Sequence, residues 1–113
     1  YTTSPAYHII EEKKEHIAAA NFSEGHYLQV EVAGRLAASK QPELADKFMK
    51  FMLTPAFQQA IPTGNWMYPV SNVTLPEGFT SLVKPQTTLE YSADEVAAQR
   101  AAWISEWQRA VSR

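Results

Sequence analysis

The sequence predicts an α/β chain, and three observations carry that reading. Apolar residues recur at helical spacing in separate stretches, and residues 27–33 alternate as a strand does. Proline, glycine and small hydroxyl residues punctuate the joints between these stretches.

Ser4 followed by Pro5 marks the first helix start. The Ser4 hydroxyl can accept from an orphan backbone N–H, while proline suits the first helical position because no N–H is needed there. The helix is expected to continue through AYHIIEEKKE, with Ala6, Ile9 and Ile10 as its buried stripe. Glu11, Glu12, Lys13, Lys14 and Glu15 form its solvated side.

In YLQVEVA, Leu28, Val30 and Val32 point one way, and Tyr27, Gln29, Glu31 and Ala33 the other, which predicts a half-buried strand. Gly25 and Gly34 fit the turns or close backbone approaches that bound such strands. Next, PELADKFMKFMLTPAFQQAIP places Leu44, Phe48, Phe51 and Met52 at helical spacing, with Ala45, Met49 and Leu53 widening the apolar stripe. Thr54-Pro55 repeats the cap-plus-proline device and starts a second, short helix, which Pro62 is expected to end.

Residues 63–85 carry Gly64, Pro69, Pro76 and Gly78 and read as loop and extended chain. Loops beyond about 12 to 15 residues without structure of their own tend to be functional or to cross between bodies. The last helix opens with a capping box between Ser92 and Glu95. Val96, Trp103, Trp107 and Val111 mark its expected buried side, and Arg109 and Arg113 fall where the helix dipole favours cations.

With 113 residues and 45% hydrophobic side chains, the chain can build at most one ordinary core. Ten basic residues against twelve acidic ones leave a net charge of -2, with no basic footprint for nucleic acid and no polybasic membrane segment. No window approaches the roughly 18 apolar residues of a membrane span. The lack of cysteine removes disulfides and thiolate metal sites, and fits either a reducing cytosol or a bacterial envelope.

Catalytic signatures are missing. His8, His16 and His26 stand in no metal-ligand spacing, and no GxSxG elbow, Walker loop or GxGxxG occurs. Glu11 and Glu12 lie on the solvated side of a helix, so an enzyme would lack a nucleophile. What remains is hydroxyls and aromatic rings where the chain turns. TTSP at a helix start offers hydroxyls and backbone N–H groups suited to an anion, or else simply caps the helix. Tyr1 and Tyr7 flank that turn, and Trp66 and Tyr68 sit on the GNWMYP loop. There Trp66 either stacks on a flat cationic ligand or plugs the core. Trp103 and Trp107, one helical turn apart, are better suited to packing.

The stretch VEVAGRLAASKQPELADKFMKFMLTPAFQQAIP resembles the C-terminal third of the periplasmic solute-binding proteins of ABC importers. YTTSPAYHIIEE, NFSEGHYLQVEVA, IPTGNWMYPV and AAWISEWQRAVSR are similar, more narrowly, to the thiamine-binding branch of that superfamily. The resemblance covers essentially the whole chain and places Tyr1 well inside a longer sequence, so the chain is expected to be a C-terminal fragment.

The resemblance implies a two-lobed fold of type II, with the ligand cleft between α/β lobes. Residues 1–26 and 70–113 would serve one lobe and residues 27–69 the other, with crossings near residues 31–36 and after Trp66. It implies a periplasmic carrier of thiamine, thiamine monophosphate and thiamine diphosphate that delivers its load to a membrane permease and ATPase, without catalysis, cofactor or metal. Tyr1, Thr2, Thr3 and Ser4 would line the cleft end that receives the hydroxyethyl or phosphate group, and Tyr7 and Trp66 would give aromatic surface to the rings. A carboxylate balancing the thiazolium charge would come from the preceding portion, because no acidic residue in the quoted motifs is expected to replace it. Half a cleft would bind poorly, since ligand pockets enclose about 70 to 90% of their ligands. Rival readings are a carrier of another small solute, such as iron or a polyamine, and a self-associating interaction module. An enzyme of thiamine metabolism, with its nucleophile in the preceding portion, is a further alternative. The iron carriers use adjacent tyrosines, and no Tyr-Tyr pair occurs here.

Overall fold

A computed structural model describes residues 1–112; Arg113, assigned above to the cationic end of the last helix, lies outside the described residues. The order is α1 (Pro5–Ile10), β1 (His26–Tyr27), α2 (Pro42–Met52), α3 (Pro55–Gln58), α4 (Ile61–Gly64), a 3-10 turn at Glu77–Phe79, β2 (Thr88–Leu89) and α5 (Ala93–Val111). The two short strands pair in parallel, His26 opposite Thr88 and Tyr27 opposite Leu89.

Proline sets most of the helix starts. Pro5, Pro42 and Pro55 each stand at the opening of a helix, and Thr54 caps α3 by accepting from the Phe57 N–H at 3.5 Å. Pro62 does the same for α4 instead of ending α3, a correction with a simple cause. Near a helix start its missing N–H costs nothing. Ser4 also departs from expectation. It adopts helical dihedrals (φ -56°, ψ -35°) and makes no cap hydrogen bond, because the turn begins upstream with the Ser4 N–H donating to the Tyr1 carbonyl at 3.1 Å. α1 is shorter than expected. Lys13, in the left-handed region at φ 57°, reverses the chain just beyond it.

The core is small and gathers at the foot of α1. Ala6 and Phe79 are fully buried, Leu82 nearly so, and Ile10, Trp66 and Leu75 pack around them. Gly78 permits this approach, since a Cβ there would stand 2.5 Å from Ile10 Cγ1. Gly25, at φ 118°, turns the chain into β1 against the Thr87 carbonyl, whereas Gly34 has open space around it and no close approach to explain it.

The expected strand over 27–33 reduces to its first residue. Between Tyr27 and α2 the chain has no regular structure; Val30 and Val32 are exposed, and Val32 reaches 88%. A strand exists only by pairing, and β2 supplies two residues of partner. The expected buried stripes of α2 and α5 are likewise exposed: Leu44, Phe48, Phe51, Trp107 and Val111 lie open, and neither helix has a buried residue. The radius of gyration, 17.8 Å, exceeds the roughly 13 Å expected of a compact chain of about 100 residues. Periodicity was legible on these helices, but it does not say whether a covering surface is present.

The capping box at α5 is formed in both directions, Ser92 accepting from the Glu95 N–H and Glu95 from the Ser92 N–H. Gln58, unremarkable in the sequence, is a buried bolt. Its Nε2 donates to the Met52 carbonyl at 2.7 Å, and its Oε1 accepts from the Val70 N–H at 2.8 Å.

Candidate ligand cleft and aromatic corner

The loop after α4 docks on one face of the first turn. Thr3 and Tyr7 stand four residues apart and so project from the same side of α1 and its leading turn. The buried Thr3 donates from Oγ1 toward Met67 Sδ at 3.9 Å. Tyr7 meets Trp66 edge to face, with ring centroids 5.2 Å apart and planes at 86°. Trp66 takes a left-handed backbone, φ 54°, which turns its indole toward α1 while its neighbours Asn65 and Met67 face a cleft. The expected site residues from distant segments are thus brought together.

That cleft, of about 970 Å³, lies between the first turn, residues 26–33, the α2–α3 region and residues 67–70. Tyr1, Thr2 and Thr3 line it, whereas Ser4, Tyr7 and Trp66 do not. The last two form a corner beside it, in which two ring planes meet near a right angle. Trp66 divides its surface between that corner and the edge of the core, so the packing alternative holds in part. Ser4 is exposed and its hydroxyl is not used for capping.

The anion reading of the first turn is narrower than the sequence suggested. The Ser4 and Ala6 N–H groups donate to the Tyr1 and Thr3 carbonyls, and proline contributes none, so fewer backbone donors than expected are left beside the hydroxyls. One acidic residue of the motifs that was not named among the expected site residues lies at the cleft: Glu31 lines it, its carboxylate accepting from Asn65 Nδ2 at 2.8 Å. It was missed because strand alternation placed Glu31 on the face away from Val30, whereas the unpaired chain brings both to the cleft. Lys50 also lines the cleft, as do all three methionines, Met49, Met52 and Met67. Burial pushes the phenol of the lining Tyr68 above the usual tyrosine range, so it stays protonated and available as a donor. Among the described residues, no group of three or more His, Asp or Glu side chains could hold a metal ion, and no helix is long and apolar enough to cross a membrane.

Comparison with known proteins bears out the resemblance seen in the motifs. The chain is 80% identical over 113 residues to a thiamine-binding periplasmic protein of Escherichia coli K12, 79% to that of Salmonella typhimurium LT2 and 44%, over 115 residues, to that of Brucella suis. Each match takes in 100% of this chain and 34 or 35% of the relative, so the chain spans about a third of the length of the curated relatives it matches. A solved structure of a periplasmic thiamin binding protein superposes with a TM-score of 0.86 at 80% identity, covering 100% of this chain and 36% of that one. No family model matches.

Proposed function

We propose that this chain is the C-terminal portion of a periplasmic thiamine-binding protein, supplying one part of a cleft that holds thiamine and its phosphate esters. The observation that carries the reading is the meeting of the Tyr7–Trp66 corner with the hydroxylated turn Tyr1, Thr2, Thr3 and Ser4, in a chain 80% identical to proteins of that name. An aromatic corner suits a flat ring bearing a positive charge. Hydroxyls beside it suit a hydroxyethyl or phosphate tail, and the uncommitted Ser4 hydroxyl supports that use. The remaining cleft wall, including a carboxylate closer to the thiazolium, would come from the rest of the longer protein.

On this reading the fold is a two-lobed binding protein, with residues 1–26 and 70–113 in one lobe and residues 27–69 in the other. Closure around the ligand presents the loaded carrier to a membrane permease and its ATPase, and no bond is made or broken. The poor cover of α2 and of residues 28–33 supports the view that further chain packs there.

The test is calorimetric titration of thiamine, thiamine monophosphate and thiamine diphosphate into the full-length protein. Trp66→Ala weakens all three by roughly 2- to 30-fold, the scale of a single cation–π contact of about 0.5 to 2 kcal/mol. Ser4→Ala weakens the phosphorylated ligands selectively. Unchanged affinities in both variants would remove these residues from the site.

A further inference from the structure

α1 has six residues, too few to hold itself in water, so something other than its own turns must fix the ring of Tyr7. The structure shows how its end is tied. The Glu11 N–H donates to the Tyr7 carbonyl at 2.8 Å, and the Lys14 N–H to the His8 carbonyl at 2.9 Å, once Lys13 has reversed the chain. The Lys13 ammonium donates back to the Ile10 carbonyl. His8 Nδ1 donates to Glu12 Oε2 at 2.6 Å, and the same carboxylate oxygen takes the Lys14 ammonium at 3.0 Å.

These contacts reach the aromatic corner through one ring. Tyr7 and His8 are successive residues, which do not face each other on a helix unless a side chain is drawn aside. Glu12, four residues on, draws the imidazole so that it meets the Tyr7 ring edge to face, centroids 5.4 Å apart at 78°. Tyr7 thereby meets both His8 and Trp66 edge to face. The charged and titratable groups in contact with this unit are Glu12 and Lys14, with Lys13 on the helix end and the Tyr7 phenol beside the ring.

We propose that His8, oriented by Glu12 and Lys14, is a positioning residue that sets the Tyr7 ring against Trp66 and so shapes the face offered to the ligand. The consequence for binding rests on the reading of Tyr7 and Trp66 as ligand surface; the coupling between the rings does not. One carboxylate oxygen serves two donors only while Glu12 is ionised. The hydrogen bond from His8, followed by that from Lys14, holds the Glu12 carboxyl below its ordinary 4.5. The sign follows. A depressed folded-state value means the unit is fully present above pH 4.5 and is lost as the pH falls through the folded value.

The experiment uses the full-length protein labelled with fluorotryptophan, the Trp66 signal being the one that vanishes in Trp66→Phe. In acid titration from neutral to about pH 3, the range in which carboxylates protonate, the native signal moves through a transition below 4.5. Glu12→Gln removes that transition and holds the signal near its acid-side position at neutral pH. His8→Ala shifts the signal as Glu12→Gln does, and His8→Gln, which keeps a donor, returns it partway. A native signal with no such transition, or one that persists in Glu12→Gln, overturns the inference. Thiamine titration of the same variants is the separate arm, with affinity at neutral pH falling roughly two- to fivefold, as for loss of an exposed ion pair. If the Trp66 signal follows Glu12 while thiamine affinity does not, the ring coupling stands and the assignment of the corner to thiamine falls.

Discussion

Gly78 lies directly under Ile10: a methyl group added to the glycine would approach Ile10 Cγ1 to 2.5 Å and Cδ1 to 2.9 Å. This approach lets the 3-10 turn carry Phe79 beneath α1, where it is wholly buried with Ala6. Gly78→Ala is therefore expected to destabilise by about 1 to 3 kcal/mol through overpacking. Denaturant titration of the full-length protein checks it, and Ile10→Ala in the same chain recovers part of the loss. Additive losses in the double variant would show that the two residues do not share the space.

Gln58 joins the end of α2 to Val70 through both ends of one buried amide. Gln58→Leu keeps the volume but leaves the Met52 carbonyl and the Val70 N–H without that partner. The expected cost is about 1 to 3 kcal/mol, the usual penalty for a buried group left unsatisfied. A full-length variant whose denaturation midpoint does not move would show that solvent reaches both groups.

The α5 cap predicts an acid-sensitive helix start. Hydrogen bonds from the Ser92 side chain, then from its backbone N–H, hold the Glu95 carboxyl below its ordinary 4.5. Its contribution is present above 4.5 and lost as pH falls through the lowered value. Helicity followed by circular dichroism should fall in that window and lose this component in Glu95→Gln. Ser92→Ala costs about 1 kcal/mol of helix stability at neutral pH.

The 113-residue chain on its own is expected to self-associate, because Phe48, Phe51, Val32 and Trp107 leave large apolar side chains open to water. Analytical ultracentrifugation over a dilution series reads this directly. Replacing Phe48 and Phe51 by Glu should lower the association, and a monomer at every concentration in the unaltered chain would contradict it.

The features legible in the sequence are those decided within a few residues. Pro5 and Pro55 mark helix starts because their missing N–H is harmless there, and Ser92 with Glu95 closes its capping box within one turn. The proximity of Trp66 to the first turn was expected only through family resemblance. Phe79, the centre of the core, sits in a stretch read as loop, and no periodicity surrounds it to give it away. Leu28, Val30 and Val32 alternate correctly, yet alternation specifies a face and not the neighbour that must pair with it. Glu31 was hidden for the same reason, since its route into the cleft depends on a strand that is not completed here.

The parallel pair sets the timing of assembly. His26 and Tyr27 find their ladder partners only at Thr88 and Leu89, so the earlier pair of residues must wait for that later segment before it can lock. Closing so distant a contact spends loop entropy before any reward arrives, which makes this step slow and late. Until Thr88 and Leu89 arrive, the edge at His26 and Tyr27 therefore stands without its ladder partner.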